Sequence, residues 1–264
     1  MKRIRFFFST KITMNHHVHS HSYLFRCLPI ESPSQHVEEL QFSMLPNQLP
    51  NRSTDAFGNQ VLSGYISQEH RYLDFTVRGT AVRDDTKPKT DLMPCYGYPS
   101  PMTKADAGLR CFFRECEAET AGITETDVMA EQWMHRLYGR MQYVKHSTDV
   151  TTTAAEAFAA GQGVCQDYTH IFLALLRMKQ IPCRYIAGLA FDEGETHSWL
   201  ELWDGSQWVG FDPTNDRRTD ERYLVLSQGR DSQDCALNRG VMFGAYTQQM
   251  QLVETKLEEL PRWG

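Results

Sequence analysis

Between Tyr72 and Val77 the chain alternates: Tyr72, Asp74 and Thr76 fall in one phase, Leu73, Phe75 and Val77 in the other. A period of two places each set on its own face, which is the pattern of a half-buried β-strand. That stretch runs on to Arg83, and strand-like stretches also occupy residues 12–28, 37–45 and 57–66. Pro29, Pro33, Pro46, Pro50 and the Gly58-Asn59 pair punctuate them, because these residues favour turns and interrupt ladder hydrogen bonding. The first ninety residues therefore predict an antiparallel sheet or a small β-sandwich. At the start, Lys2, Arg3 and Arg5 precede Phe6-Phe7-Phe8. Three apolar residues are too few for a signal-peptide core, and the segment reads as a basic-flanked first strand.

The pattern changes near residue 90. Pro88, Pro94, Pro99 and Pro101, with Gly97, mark residues 86–101 as a linker or wrapping loop. Helical spacing follows over 105–118 and 125–143, where Val128, Trp133, Leu137 and Met141 predict a common buried face. Thr152 and Thr153 offer caps for a short helix through 154–158, which the glycines at 161 and 163 then break. From Cys165 to Lys179, Tyr168, Ile171, Phe172, Leu175 and Leu176 mark a core-facing helix. Strands are expected at 183–191, 196–203 and 208–211, with turns at Gly194-Glu195 and Asp204-Gly205. Alternating stretches between Val241 and Leu257 are free to return to either unit. The fold class is α+β, divided into a β-rich accessory domain (1–90) and a second domain (91–264) whose last strands are able to rejoin the first.

Composition narrows the function classes. With 264 residues, 41% hydrophobic and 23% charged, the chain matches an ordinary globular protein of one large or two modest domains. A formal charge of −6, with no basic stripe interleaved with aromatics, argues against nucleic-acid binding. No segment approaches the length of an apolar membrane span. Seven cysteines, an odd number spread along the chain, read as reduced thiols, and the expected compartment is the cytoplasm.

The candidate chemistry lies in three segments. Gly161-Gln162-Gly163-Val164-Cys165-Gln166-Asp167-Tyr168 sets one thiol at a helix start. There a helix end and a neighbouring imidazolium favour thiolate over thiol. The exposed Cys165 N–H is then available to developing oxyanion charge. His197, in Thr196-His197-Ser198-Trp199, falls on a strand, and Asp212, in Gly210-Phe211-Asp212-Pro213-Thr214, falls where the next one ends. Each residue alone has a bland explanation: a buried core cysteine, a structural histidine, a turn-forming aspartate. Together, and in that order, they supply a thiol nucleophile, a base and an orienting carboxylate.

With these residues the chain resembles the transglutaminase-like superfamily, in its bacterial "putative cysteine protease" branch. The likeness runs over residues 150–244, through Gly163-Val164-Cys165-Gln166-Asp167, Thr196-His197-Ser198-Trp199 and Gly210-Phe211-Asp212-Pro213-Thr214, with Gly229-Arg230-Asp231 and Asn238-Arg239-Gly240 downstream. The β-rich beginning is similar to the accessory region that precedes this domain in bacterial relatives. The resemblance implies a papain-like core and a Cys165/His197/Asp212 triad. It does not specify crosslinking as the reaction.

The function expected is cysteine-dependent acyl transfer on amide, peptide or isopeptide bonds through a thioester, with hydrolysis favoured. An amine-accepting transglutaminase and a noncatalytic peptide-binding scaffold are the alternatives. The substrate is a peptide, a protein or a small amide. No cofactor or metal is expected: His16, His17, His19 and His21 lack the fixed companions of a zinc motif, Cys111 and Cys116 lack its spacing, and no phosphate-binding glycine loop occurs. For an oxyanion donor upstream of Cys165, Trp133, Tyr143 and Gln162 are the candidates, with core packing the first assignment for Trp133 and Tyr143 and a solvated turn the alternative for Gln162. Trp199, Trp203, Trp208 and Phe211 divide between a groove and the core.

Overall fold

The computed structural model describes residues 1–84, 86 and 92–261. Five strands open the chain: β1 (Lys2–Phe25), β2 (Gln35–Leu45), β3 (Asn51–Thr54), β4 (Gln60–Ile66) and β5 (His70–Arg83). Two helices follow, α1 (Ala107–Glu119) and α2 (Thr126–Arg140), then β6 (Gln142–Tyr143), α3 (Ala154–Ala160), β7 (Gln162–Gly163) and α4 (Cys165–Met178). The remainder is β8 (Cys183–Ala190), β9 (Thr196–Trp203), β10 (Trp208–Asp212), β11 (Arg217–Arg218), β12 (Tyr223–Gly229), β13 (Asn238–Gly244) and β14 (Gln249–Leu260).

The amino-terminal segment is one antiparallel sheet rather than the two layers of a sandwich. Its order is β2-β5-β1-β4-β3, with β13 and β14 also hydrogen-bonded to β1. β1 is long enough to take two sets of neighbours. Residues 3–13 lie between β5 and β14, and residues 22–25 lie between β4 and β13. The basic first strand and the 12–28 stretch are thus one continuous strand. Along it Ile4, Phe6, Phe8, Ile12 and Met14 face inward, while Arg5, Lys11 and Thr13 face solvent. The inner face packs on Leu189 of β8 and on Leu224 and Leu226 of β12, so the two sheets share a core.

The second sheet runs β11-β10-β9-β8-β12. All eight residues of β8 are buried, because α4 covers one face and the amino-terminal sheet the other. α4 is buried almost all round for the same reason, from Asp167 through Arg177. A helix with no solvent face is the central element of a core.

Two helix expectations need correction. On α2 the buried set is Met129, Ala130, Trp133, Met134 and Leu137, whereas Val128 is 41% exposed. Five residues from Trp133, Val128 lies roughly 140° round the helix. α2 also ends at Arg140 rather than running to 143, and residues 142–143 leave it to pair in parallel with β7. In the proline-rich stretch, Pro94–Gly97 and Pro101–Thr103 form single 3₁₀ turns. The expected domain boundary at 90/91 lies outside the described residues.

Candidate active site

The two glycines before Cys165 have separate tasks. Gly161 ends α3 in the left-handed conformation, φ 66°, which costs a residue without Cβ little. Gly163 permits a close approach: a Cβ there would lie 2.6 Å from Cβ of Asp167. Asp167 is fully buried and accepts the Val164 N–H at 2.7 Å and the Thr148 hydroxyl at 2.6 Å. It therefore caps the helix end and anchors the loop ahead of it, with burial pushing its carboxyl pKa upward. This frame sets Cys165, partly buried, at the first turn of α4.

His197 reaches the same point from β9, where it is buried and borders the same two cavities as Cys165. Its Nε2–H donates to Asp212 Oδ2 at 2.8 Å, which leaves Nδ1 for the sulfur side. The carboxylate of Asp212 is held at both oxygens. Oδ1 accepts the N–H groups of Thr214 (3.1 Å) and Asn215 (3.3 Å). Oδ2 accepts from Asn215 Nδ2 at 2.9 Å and from the Tyr223 hydroxyl at 2.8 Å as well as from His197. Arg217 Nε in turn donates to the Tyr223 oxygen at 2.6 Å.

Burial alone would lower the His197 pKa, but hydrogen bonds to Asp212 and Cys165 and their negative charge outweigh it and push the pKa up to about 10. For Asp212 burial works upward, and the bonds from His197, Asn215 and Tyr223 reverse it, leaving its pKa below the usual carboxylate value. A carboxylate kept ionised beside an imidazole that keeps its proton is the electrostatic setting in which a thiol can pass a proton to and fro.

Two cavities meet at Cys165 and His197. One, about 410 Å³, has a wall from the amino-terminal sheet, with Phe8, Thr10, Arg239, Gln251 and Val253, and is lined by Gln166 as well. The second, about 680 Å³, is bounded by Tyr143, Lys145, Thr148, Glu193, Glu195 and Asn215.

All three expected site residues therefore come together. Several neighbours were not foreseen. Asn215 carried a local signal, three residues after an aspartate that ends a strand. Arg217 and Tyr223 carried none, since only the wrapping of residues 213–222 brings them to Asp212. Tyr143, assigned to the core, is 47% exposed and faces the larger cavity. Trp133 is buried, its indole N–H bonded to the Cys116 carbonyl and the Thr120 hydroxyl. Trp199, Trp208 and Phe211 are core residues, and neither they nor Trp203 border either cavity.

The histidine-rich stretch of β1 divides where the register shifts between His19 and Ser22, with His19 exposed and His21 buried. His21 faces inward, its Nδ1 bonded to Nε2 of His70 at 3.0 Å, while His70 Nδ1–H donates to the Gln68 carbonyl at 2.9 Å. Among the described residues no group of three or more His, Cys, Asp or Glu side chains is placed to hold a metal ion. No helix among them is long and apolar enough to cross a membrane.

Residues 116–213 match the model of the transglutaminase-like superfamily core, and residues 4–82 match that of the bacterial transglutaminase-like N-terminal region. Over 127 residues the chain is 33% identical to the uncharacterized protein ML0607 of Mycobacterium leprae, 44% of each chain being covered. Over 124 residues it is 35% identical to the uncharacterized protein Rv2569c of Mycobacterium tuberculosis, covering 41% of this chain and 40% of that one. The chain thus spans less than half the length of these curated relatives. A crystal structure described as a "Putative Cysteine Protease" from Cytophaga hutchinsonii superposes with a TM-score of 0.79 over 100% of this chain and 92% of the other, at 19% identity, which is a likeness of fold. With both its segments matched in order, the chain belongs to the transglutaminase-like superfamily and carries that superfamily's bacterial β-rich region ahead of the core.

Proposed function

We propose that the protein is a cysteine-dependent acyl-transfer enzyme that cleaves amide, peptide or isopeptide bonds through a thioester, with water as the usual acceptor. The observation that carries this reading is the linked set Cys165–His197–Asp212 at the meeting of two cavities. Cys165 gives its proton to His197 and its sulfur attacks the carbonyl carbon, forming a C–S bond and a tetrahedral oxyanion. Collapse breaks the C–N bond, and His197 returns the proton to the departing amine. Water then loses a proton to His197, adds to the thioester and releases a carboxylic acid and the thiol. Asp212 orients the ring and balances its charge. The divided cavity suits a substrate with groups on both sides of the scissile bond.

Amine transfer is the second reading, supported by Glu193. One of its oxygens is 3.9 Å from His197 Nδ1, a position from which a carboxylate would hold an arriving ammonium group. The noncatalytic scaffold has no observation in its favour.

The test is the pH-dependent rate of Cys165 alkylation by iodoacetamide, followed by residue-resolved mass spectrometry beside folded His197→Ala. Reactivity below pH 7 that His197→Ala removes is the expected result. Slow labelling with an ordinary thiol profile, unchanged in the variant, overturns the catalytic reading. Acyl-enzyme formed from a p-nitrophenyl ester and partitioned between water and an added alkylamine separates the two acceptors.

A further inference from the structure

One strand that walls the smaller cavity has an unguarded edge. β14 hydrogen-bonds to β1 on one side, and among the described residues no strand pairs with its other side. Natural sheets usually blunt such an edge with charges, proline or a bulge. Residues 249–253, Gln-Met-Gln-Leu-Val, carry no charge and no proline. The register against β1 runs without a shift from Met14↔Gln249 to Arg3↔Leu260. The charged residues of the strand, Glu254, Lys256, Glu258 and Glu259, all come after this stretch.

Two bonds fix which backbone groups point off that edge. The Asn15 N–H donates to the Gln248 carbonyl at 3.2 Å, so these two residues form a bonded pair. Bonded and non-bonded pairs alternate along an antiparallel ladder. Met14↔Gln249, Ile12↔Gln251, Thr10↔Val253 and Phe8↔Thr255 are therefore the non-bonded pairs. Thr255 gives the same phase from the other side, since its N–H leaves the sheet and donates to the Gly194 carbonyl at 3.1 Å. The N–H and C=O groups of Gln251 and Val253 point the same way as that bond, with no backbone partner among the described residues.

This open stretch runs beside the candidate chemistry. Gly194, which already takes the edge at Thr255, is three residues ahead of His197. Gln251 and Val253 line the cavity that holds Cys165 and His197. We propose that the edge of β14 at residues 249–253 binds the substrate, an extended peptide segment that adds to it as a further strand. The segment exchanges backbone hydrogen bonds with Gln251 and Val253 and so brings its scissile bond to Cys165. The proposal rests on the acyl-transfer reading above and narrows its substrate from amides in general to unfolded peptide chain. Strand addition draws its affinity from the main chain and leaves choice among side chains to the pockets beside it. A small amide has no strand to add.

The experiment uses the full chain and the capped hexapeptide acetyl-Ser-Val-Ser-Val-Ser-Val-amide. It reads the peptide concentration that halves the rate of Cys165 alkylation by iodoacetamide, each variant being its own reference. Gln251→Pro deletes an N–H that faces the open edge and none that bonds β1, which edge strands tolerate. Gln251→Ala keeps that N–H and deletes the side chain. The expected result is a rise of about tenfold in the halving concentration for Gln251→Pro and of less than about twofold for Gln251→Ala. Equal shifts in the two variants overturn the proposal, since the side chain would then be the contact. So does a Gln251→Pro protein that matches the parent, or a parent that the peptide fails to protect at millimolar concentration. If Gln251→Pro lacks a cooperative thermal transition, the same peptide methylated on every backbone nitrogen decides. It should protect the parent about tenfold less well, and equal protection overturns the proposal. Sedimentation tests the rival occupant: a parent dimer that Gln251→Pro turns into monomer assigns the edge to a second copy and overturns the proposal too. Protection needs no turnover, so the two readings fail separately. Turnover of p-nitrophenyl acetate that survives Cys165→Ala removes the thioester reading itself, whereas Cys165-dependent turnover with protection indifferent to Gln251→Pro removes only the edge assignment.

Discussion

The two sheets differ in how many faces they bury, and the reactive groups follow that difference. The amino-terminal sheet has one packed face. Its other face is lined with exposed ion pairs such as Lys2–Glu259 at 2.5 Å and Arg5–Glu258 at 2.9 Å. The second sheet is covered by α4 on one side and by the first sheet on the other. Polar groups in that setting must find partners or carry a large desolvation cost, and the Arg217–Tyr223–Asp212–His197 chain meets that demand. The doubly covered sheet thus holds His197 and Asp212 against α4 and its thiol. The singly covered sheet contributes Phe8, Thr10, Gln251 and Val253 to a cavity wall. On the proposed function, one region supplies the chemistry and the other helps to shape what reaches it.

This division can be broken from either side. The largest effect is expected from His197→Ala, with turnover down about 10⁴-fold or more and a far-UV spectrum like the parent's. Turnover within tenfold of the parent would place the base elsewhere. Asp212→Asn follows, with a loss of about 10²–10⁴-fold and a second signature in pH. Because the carboxylate raises the His197 pKa, its removal moves the alkaline limb of the pH–rate profile downward from about 10. The sign for stability agrees. A raised histidine contributes fully below its unfolded value of 6.5 and loses that contribution as pH rises through about 10. The Asp212→Asn protein should therefore lose less stability than the parent between those limits, as read from urea midpoints.

Val253→Arg tests the wall. We expect KM for a bulky peptide ester to rise about tenfold, one decade being roughly 1.4 kcal/mol of binding, with p-nitrophenyl acetate turnover unchanged. Equal loss on both esters would contradict a shaping role. Acid should act on both regions, since each hides a neutral histidine. In the core His170 is lowered to about 3, by burial first and then by Arg177. In the amino-terminal sheet His21 is lowered to about 4, by burial first and then by His70. Below pH 6.5 the unfolded chain binds protons that these sites refuse, so stability is complete above that pH and lost as pH falls toward 4 and then 3. A urea midpoint flat from pH 7 to 4 would refute this. The smallest effect belongs to the outer face, where Arg5→Gln should change stability by no more than about 0.5 kcal/mol. A loss well above that would mean the exposed face carries more of the sheet's stability than its ion pairs suggest.

How legible each region was follows from the same contrast. Alternation in β1 and β5 was plain because only one face is buried, and the strands around them could be found from it. β8 has no alternation to read, being buried on both faces. α2 was misphased through Val128 because an apolar residue on an exposed face leaves no mark in the sequence. Its end was misplaced because Tyr143 belongs to a two-residue ladder whose partner is twenty residues away. Whether the first ninety residues made one sheet or a sandwich was open too. That depended on β13 and β14, more than two hundred residues later, extending β1.

The sequence by itself determined the α+β class, the main helices and many of the strands, and the three segments that carry Cys165, His197 and Asp212, because caps, turn residues and periodicity act over a few positions. Only the tertiary structure decided which groups surround them. Tyr223 and Arg217 reach Asp212, Tyr143 faces the cavity of Cys165, and the amino-terminal sheet walls its other side, because contacts of this kind are set by the closure of distant segments onto a shared core. No local pattern encodes that closure. The burial of many residues at once does, and it exists only when the chain is folded.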